Sequence, residues 1–232
     1  MGRSEHTFGE NDLWCTPPEV FEPVLKALQL DHFGLDPFGN PLSIVPAKEI
    51  VLLPEYTRDV LALVVDVLKA NHNFKDPDGT KIAALQDSVR ERYDEFLAMT
   101  KRLDSTVYWG DAYVPHTERN GRAWTADWSG RGAVFCNGPT SDCGRWAEKA
   151  ASETGGDENV GLWPARTGAN YFRDYIATCD ALLWWNGRVK FRGAKDPAPW
   201  HSVISYIGPR ADQFLDGMEE YGWSSRNVRD WG

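Results

Sequence analysis

The stretch TADWSGRGAVFCNGPTSDCGRWAEKAASETGGDENVGLWPAR, residues 125–166, decides the fold. It contains two apolar runs of strand length, GAVFC and VGLWPA, separated by a turn-forming NGPT and by GRWAEKAAS, a segment of helical or loop character. Downstream, ALLWWN and VISYIG repeat the strand pattern after ANYFRDYIA. Alternation of strand and helix implies an α/β sheet with both faces covered.

Upstream, HFGLDPFGNP reads as a short strand whose carboxyl end carries Asp36 and feeds a Gly-Asn-Pro turn. Before it, TPPEVFEPVLKAL places Val20, Val24, Leu25 and Leu28 at helical spacing, with Thr16 as the expected cap and prolines suited to a first turn. Between Asp36 and GAVFC, two helical patterns run from Thr57 to Asn71 and from Thr80 to Leu103. In the second, Ile82, Leu85, Val89, Tyr93, Phe96 and Leu97 recur at three and four. They predict a helical hairpin inserted over residues 57–104 of a single domain spanning 1–232. Its nearly balanced charges suit a packing element or a homodimer contact better than a DNA arm. The tail SSRNVRDWG reads as a loosely held terminus.

The composition narrows the function. With 42% hydrophobic and 25% charged residues the chain has ordinary globular values. No run is long enough for a membrane span and no secretory signal is seen, which predicts a cytoplasmic protein without membrane contact. The four cysteines and five histidines are scattered, so reduced thiols and no metal site are expected. A net charge of −9 argues against a protein that coats nucleic acid, though not against a local basic cleft. Arg188, Lys190, Arg192 and Lys195 form one such patch, or a solvated loop. Eleven tryptophans offer rings for bases that have left a duplex, or for core packing.

Ligands of open α/β sheets bind beyond the carboxyl ends of strands, which singles out Asp36–Asn40 and Asn137–Thr140. At these positions the chain resembles the phage DNA N-6-adenine methyltransferase family. LWCTPPEVF followed by LDPFGNP is similar to the family's W-x-TPPE and LDP motifs. TADWSGRGAVFCNGPT is similar to D-x-W-x-G-x-V-x-x-NPPY, and LWPARTG and NGRVKF to its PAR-T and GR-x-x-F segments. The resemblance implies a three-layer, Rossmann-like methyltransferase sheet, S-adenosylmethionine as cofactor, double-stranded DNA as substrate with base flipping, and methylation at N6 of adenine.

The same resemblance implies roles for individual residues. Thr16 and Pro17 would line the methionine end of the cofactor, with Asp36, Phe38 and Gly39 forming the turn beneath it. Asp127 would accept from its adenine. Asn137, Gly138, Pro139 and Thr140 would be the catalytic motif, and Arg166, Arg188 and Phe191 would lie near the substrate cleft. Each position also has a plainer reading: a turn acid for Asp36, a surface acid for Asp127, a turn residue for Arg188, and a core ring for Phe191.

The catalytic motif departs from the family's pattern. An exocyclic amine is a poor nucleophile while its lone pair is conjugated into the ring. An Asn oxygen and the next backbone carbonyl can take its two hydrogens and free that pair. Asn137 and Gly138 keep these acceptors, but Thr140 lacks the aromatic ring that would stack on the base. Trp163 and Trp146 are the candidate replacements, with core packing as their alternative. The change leaves open a non-catalytic relative that binds cofactor or DNA, and an enzyme of altered base or donor specificity.

Overall fold

A computed structural model describes residues 14–52, 79–108, 127–153 and 157–226. Its centre is an eight-stranded sheet: β1 Phe33–Gly39, β2 Ala47–Leu52, β3 Thr106–Tyr108, β4 Ala133–Cys136, β5 Glu158–Pro164, β6 Ala181–Trp185, β7 Ser202–Ile207 and β8 Gly222–Arg226. The order is β3-β2-β1-β4-β5-β7-β6-β8. The first five strands are mutually parallel, β7 runs antiparallel between β5 and β6, and β8 is an antiparallel edge. This mixed α/β arrangement is compatible with a methyltransferase-like fold.

Five α-helices flank the described sheet: α1 Pro18–Ala27, α2 Thr80–Leu103, α3 Cys143–Ser152, α4 Asn170–Asp174 and α5 Ala211–Met218. Because successive side chains of a strand point to opposite faces, each buried strand feeds two cores. Ala133 and Phe135 of β4 join α1, α2 and α5 residues such as Val24, Phe96 and Phe214. Val134 and Cys136 join Trp146 of α3 and Phe172 of α4 on the other face.

The four strands read from GAVFC, VGLWPA, ALLWWN and VISYIG are present, and α2 spans the full second helical pattern. Its Val89, Phe96 and Met99 are buried, and the Ser105 hydroxyl that follows it donates to the Ala47 carbonyl at the start of β2 (2.7 Å). The 57–71 arm of the expected hairpin and most of its turn lie outside the described residues.

Three local expectations are corrected. Thr16 does not cap α1: Pro17 is the N-cap and makes no side-chain cap, while Pro18 begins the helix where a missing N–H costs nothing. Asp36 does not end its strand, because β1 continues to Gly39 through a shift in register against β2. In the supposed loose tail, Ser224 to Arg226 belong to β8 and pair with β6.

Candidate functional site

β1 and β4 are neighbours, but the chain leaves β1 for β2 on one side of the sheet and leaves β4 for β5 on the other. Loops diverge at such a switch point and leave a crevice beyond the carboxyl ends of the two strands. A pocket of about 780 Å³, counted to its open mouth, lies there. It brings together Thr16, Asp36 and Phe38 from the first motif region with Asn137, Gly138, Pro139 and Thr140 from the second.

Asp36 is 6% exposed, and its Oδ1 accepts from the Phe38 N–H at 3.0 Å. Burial pushes its carboxyl up to about 7, and the Phe38 hydrogen bond offsets only part of that. None of the ion pairs among the described residues involves this acid. A buried carboxyl of this kind, facing a pocket, suits a cationic ligand group such as an ammonium. The turn that follows holds itself with its own side chains: Asn40 accepts from Leu42 N–H (2.9 Å) and Ser43 from Val45 N–H (3.2 Å).

The second wall is the loop after β4. Asn137 donates its Nδ2 to Thr16 Oγ1 at 2.7 Å, which fixes the amide and leaves Oδ1 as its acceptor. Thr16 therefore serves the loop opposite rather than its own helix. Gly138 has no room for a side chain, since a Cβ there would meet Trp146 Cδ1 at 2.8 Å. Trp146 in turn packs edge-on against Phe38, with ring centroids 4.4 Å apart, so one buried indole joins both walls. Gly138→Ala is accordingly expected to destabilise the protein by roughly 1–3 kcal/mol, the usual cost of overpacking. Urea denaturation checks it, and unchanged stability would mean the loop is not seated on Trp146.

Cys15 also lines the pocket, 3.1 Å from the buried guanidinium of Arg92 on α2. Burial pushes its thiol up to about 11 despite that neighbour, so it is protonated near neutral pH and is a poor nucleophile. The chemistry on offer is hydrogen bonding and charge, not thiolate attack.

The NGPT loop, its strand and the following elements carry the decisive sequence match. Residues 102–203 match the family model of DNA N-6-adenine-methyltransferase (Dam). The match covers a little under half of the chain; it takes in the TADWSGRGAVFCNGPT, LWPARTG and NGRVKF motifs but not LWCTPPEVF or LDPFGNP. No curated protein and no solved structure matches the chain. The Dam-matching segment includes the second wall and the strands β4, β5 and β6, whereas Thr16 and Asp36 lie before it.

Within the Dam-matching segment the other expected residues are dispersed. Asp127 lies before the amino end of β4, where its carboxylate accepts from Ser129 N–H at 2.9 Å. The backbone N–H of the next residue, Trp128, donates to Glu153 Oε2 at the end of α3 (3.2 Å), and its buried ring meets Phe38 edge-on with centroids 6.3 Å apart. Asp127 is not among the residues that line the pocket, and the contact seen for its carboxylate is that of a turn acid. Trp163, 1% exposed, donates to Ser205 Oγ at 2.7 Å, and Trp146 is 2% exposed. Both rings are buried in the core and neither lines the pocket.

Arg166 is exposed near the mouth, with its guanidinium 6.0 Å from the ring centre of Trp200, a pocket residue. Arg188 is exposed in the turn after β6, on the pocket side of the sheet but outside the lining. Pro17 and Gly39 border the site without lining it. A Cβ on Gly39 would lie 2.3 Å from Ile50 Cγ2, so that glycine serves the close approach of β1 and β2. Sequence reasoning gave Trp14 and Asn40 no role although both lie within the quoted motifs, and it missed Ser43 and Trp200. Ser43 closely follows LDPFGNP, so proximity was an available signal. Trp200 had none.

Proposed function

We propose that the chain is an S-adenosylmethionine-dependent DNA methyltransferase acting on an exocyclic amino group, N6 of adenine. The observation that carries the reading is the convergence of Asp36 and the Thr16-oriented Asn137 on one pocket at the sheet's switch point. The Dam-family match supports the reaction class. We further propose one methyltransferase domain with residues 57–104 as an insertion, α2 being its second arm.

The cofactor fits the residues present. Asp36 would hold its ammonium group, with Thr16 and Phe38 beside it. Bound S-adenosylmethionine supplies an electrophilic methyl group. The chain's part is to position the amine: Asn137 Oδ1 and the Gly138 carbonyl accept its two hydrogens and favour a tetrahedral nitrogen. Pro139 and the short turn from Thr140 to Asp142 then carry the chain into α3, which holds the loop against Trp146.

Thr140 is the observation that favours a second reading, a relative that binds cofactor and DNA without turnover. Expression in a host lacking adenine methylation, followed by nucleoside mass spectrometry of its DNA, separates the two. N6-methyladenine is the expected product. A different shifted base would indicate altered specificity, and an unchanged profile with retained cofactor binding would favour the non-catalytic relative.

A further inference from the structure

The pocket contains more aromatic surface than the motif at 137–140 accounts for. Most of those rings are already engaged. Trp14 and Phe191 stack on each other at 6.1 Å and 16°. Phe135 packs on Phe33 at 4.9 Å, and Phe38 on Trp146.

Trp200 differs in two ways. It is half-buried at the pocket, and the group over its ring is the guanidinium of the exposed Arg166. A tryptophan face and a cation side by side match the two parts of a nucleotide, a π-system to stack and a phosphate to neutralise. The pair comes from two adjacent chain ends: Arg166 follows β5, Trp200 precedes β7, and the His201 carbonyl accepts from the Ala165 N–H at 2.8 Å. That backbone link sets both residues at one edge of the mouth.

We propose that Trp200 supplies the stacking surface for the base drawn into the pocket, taking the part that Thr140 cannot, and that Arg166 holds the phosphate of the same strand. This rests on the DNA reading above and assigns its specificity to residues outside the NGPT motif.

The test uses a single-stranded oligodeoxynucleotide containing 2-aminopurine, titrated into the full-length protein saturated with S-adenosylhomocysteine. Stacking quenches 2-aminopurine, so emission reports contact with a ring independently of turnover. Trp200→Leu keeps apolar bulk against the core but removes the ring. It is expected to weaken binding roughly tenfold to a hundredfold, the worth of one stacked base, and to abolish the quenching. Trp200→Phe should restore both to within a fewfold. Arg166→Ala should weaken binding and lower the salt dependence by about one phosphate contact. Equal affinity and equal quenching in wild type and Trp200→Leu would overturn the assignment while leaving the DNA reading intact. Wild-type protein that binds S-adenosylhomocysteine but not the oligonucleotide would overturn both.

Discussion

Asp36→Asn is expected to stabilise the ligand-free protein at pH 8 while severely weakening cofactor binding. The sign follows from the shift. Burial raises the carboxyl from 3.8 to about 7, so the folded state holds its proton over a range where the unfolded chain has released it. The stabilising contribution is complete below pH 3.8 and is lost as pH rises through about 7. At about 1.4 kcal/mol per pH unit the full window is worth on the order of 4 kcal/mol. Asparagine carries no charge there, yet its Oδ1 can keep accepting from the Phe38 N–H, so the comparison isolates the charge. The gap in melting temperature between variant and wild type should open between pH 4 and 7 and then level off. Calorimetry with S-adenosylhomocysteine should show the opposite preference, because the ligand's ammonium loses its partner. A pH-independent gap would mean that the acid is not held in a dry site. Unchanged affinity would remove Asp36 from the cofactor site.

Asn137→Ala should lower turnover at least about a hundredfold, the scale seen when one polar group that stabilises a transition state is removed. The oxygen lost would contact only the reacting amine, so the cofactor dissociation constant should stay within a fewfold. Asn137 also donates to the buried Thr16 hydroxyl, so the substitution should cost about 1 kcal/mol of stability, which leaves the protein folded. Single-turnover kinetics with labelled cofactor, alongside calorimetry, separates the two effects. Normal turnover would exclude Asn137 from the mechanism, and a matching loss of cofactor affinity would make it a binding residue. Thr16→Val should show a smaller loss of turnover, because it releases the amide without deleting it.

Both expectations came from motifs that the chain displays locally. LDPFGNP and NGPT follow apolar runs, and the rule that ligands sit beyond strand carboxyl ends selects them without knowledge of the sheet order. The reading was less successful with tryptophan. The same indole satisfies a core and a base equally well, and only burial distinguishes Trp146 and Trp163, both core, from Trp200 at the mouth.

Cap assignment failed for a related reason. Thr16 has the composition of an N-cap, but its hydroxyl partner is Asn137, which is 121 residues away in sequence. The strand AKEIVL and the three-residue β3 were also unread, the one because charged residues interrupt its apolar pattern and the other because it is too short to show a period.

By itself the sequence determined the alternation of strands and helices and the two loops that form the pocket walls, because periodicity and turn chemistry are carried by neighbouring residues. Strand direction was decided only in the tertiary structure. β7 is antiparallel, with Pro164 opposite Ser202, and so the residue preceding it, Trp200, arrives at the pocket end. β4 is parallel to its neighbours, and Asp127, which precedes it, is not among the residues that line the pocket. Pairing direction depends on which distant strand supplies the hydrogen bonds and on the burial of both sheet faces. No local stretch of sequence encodes either.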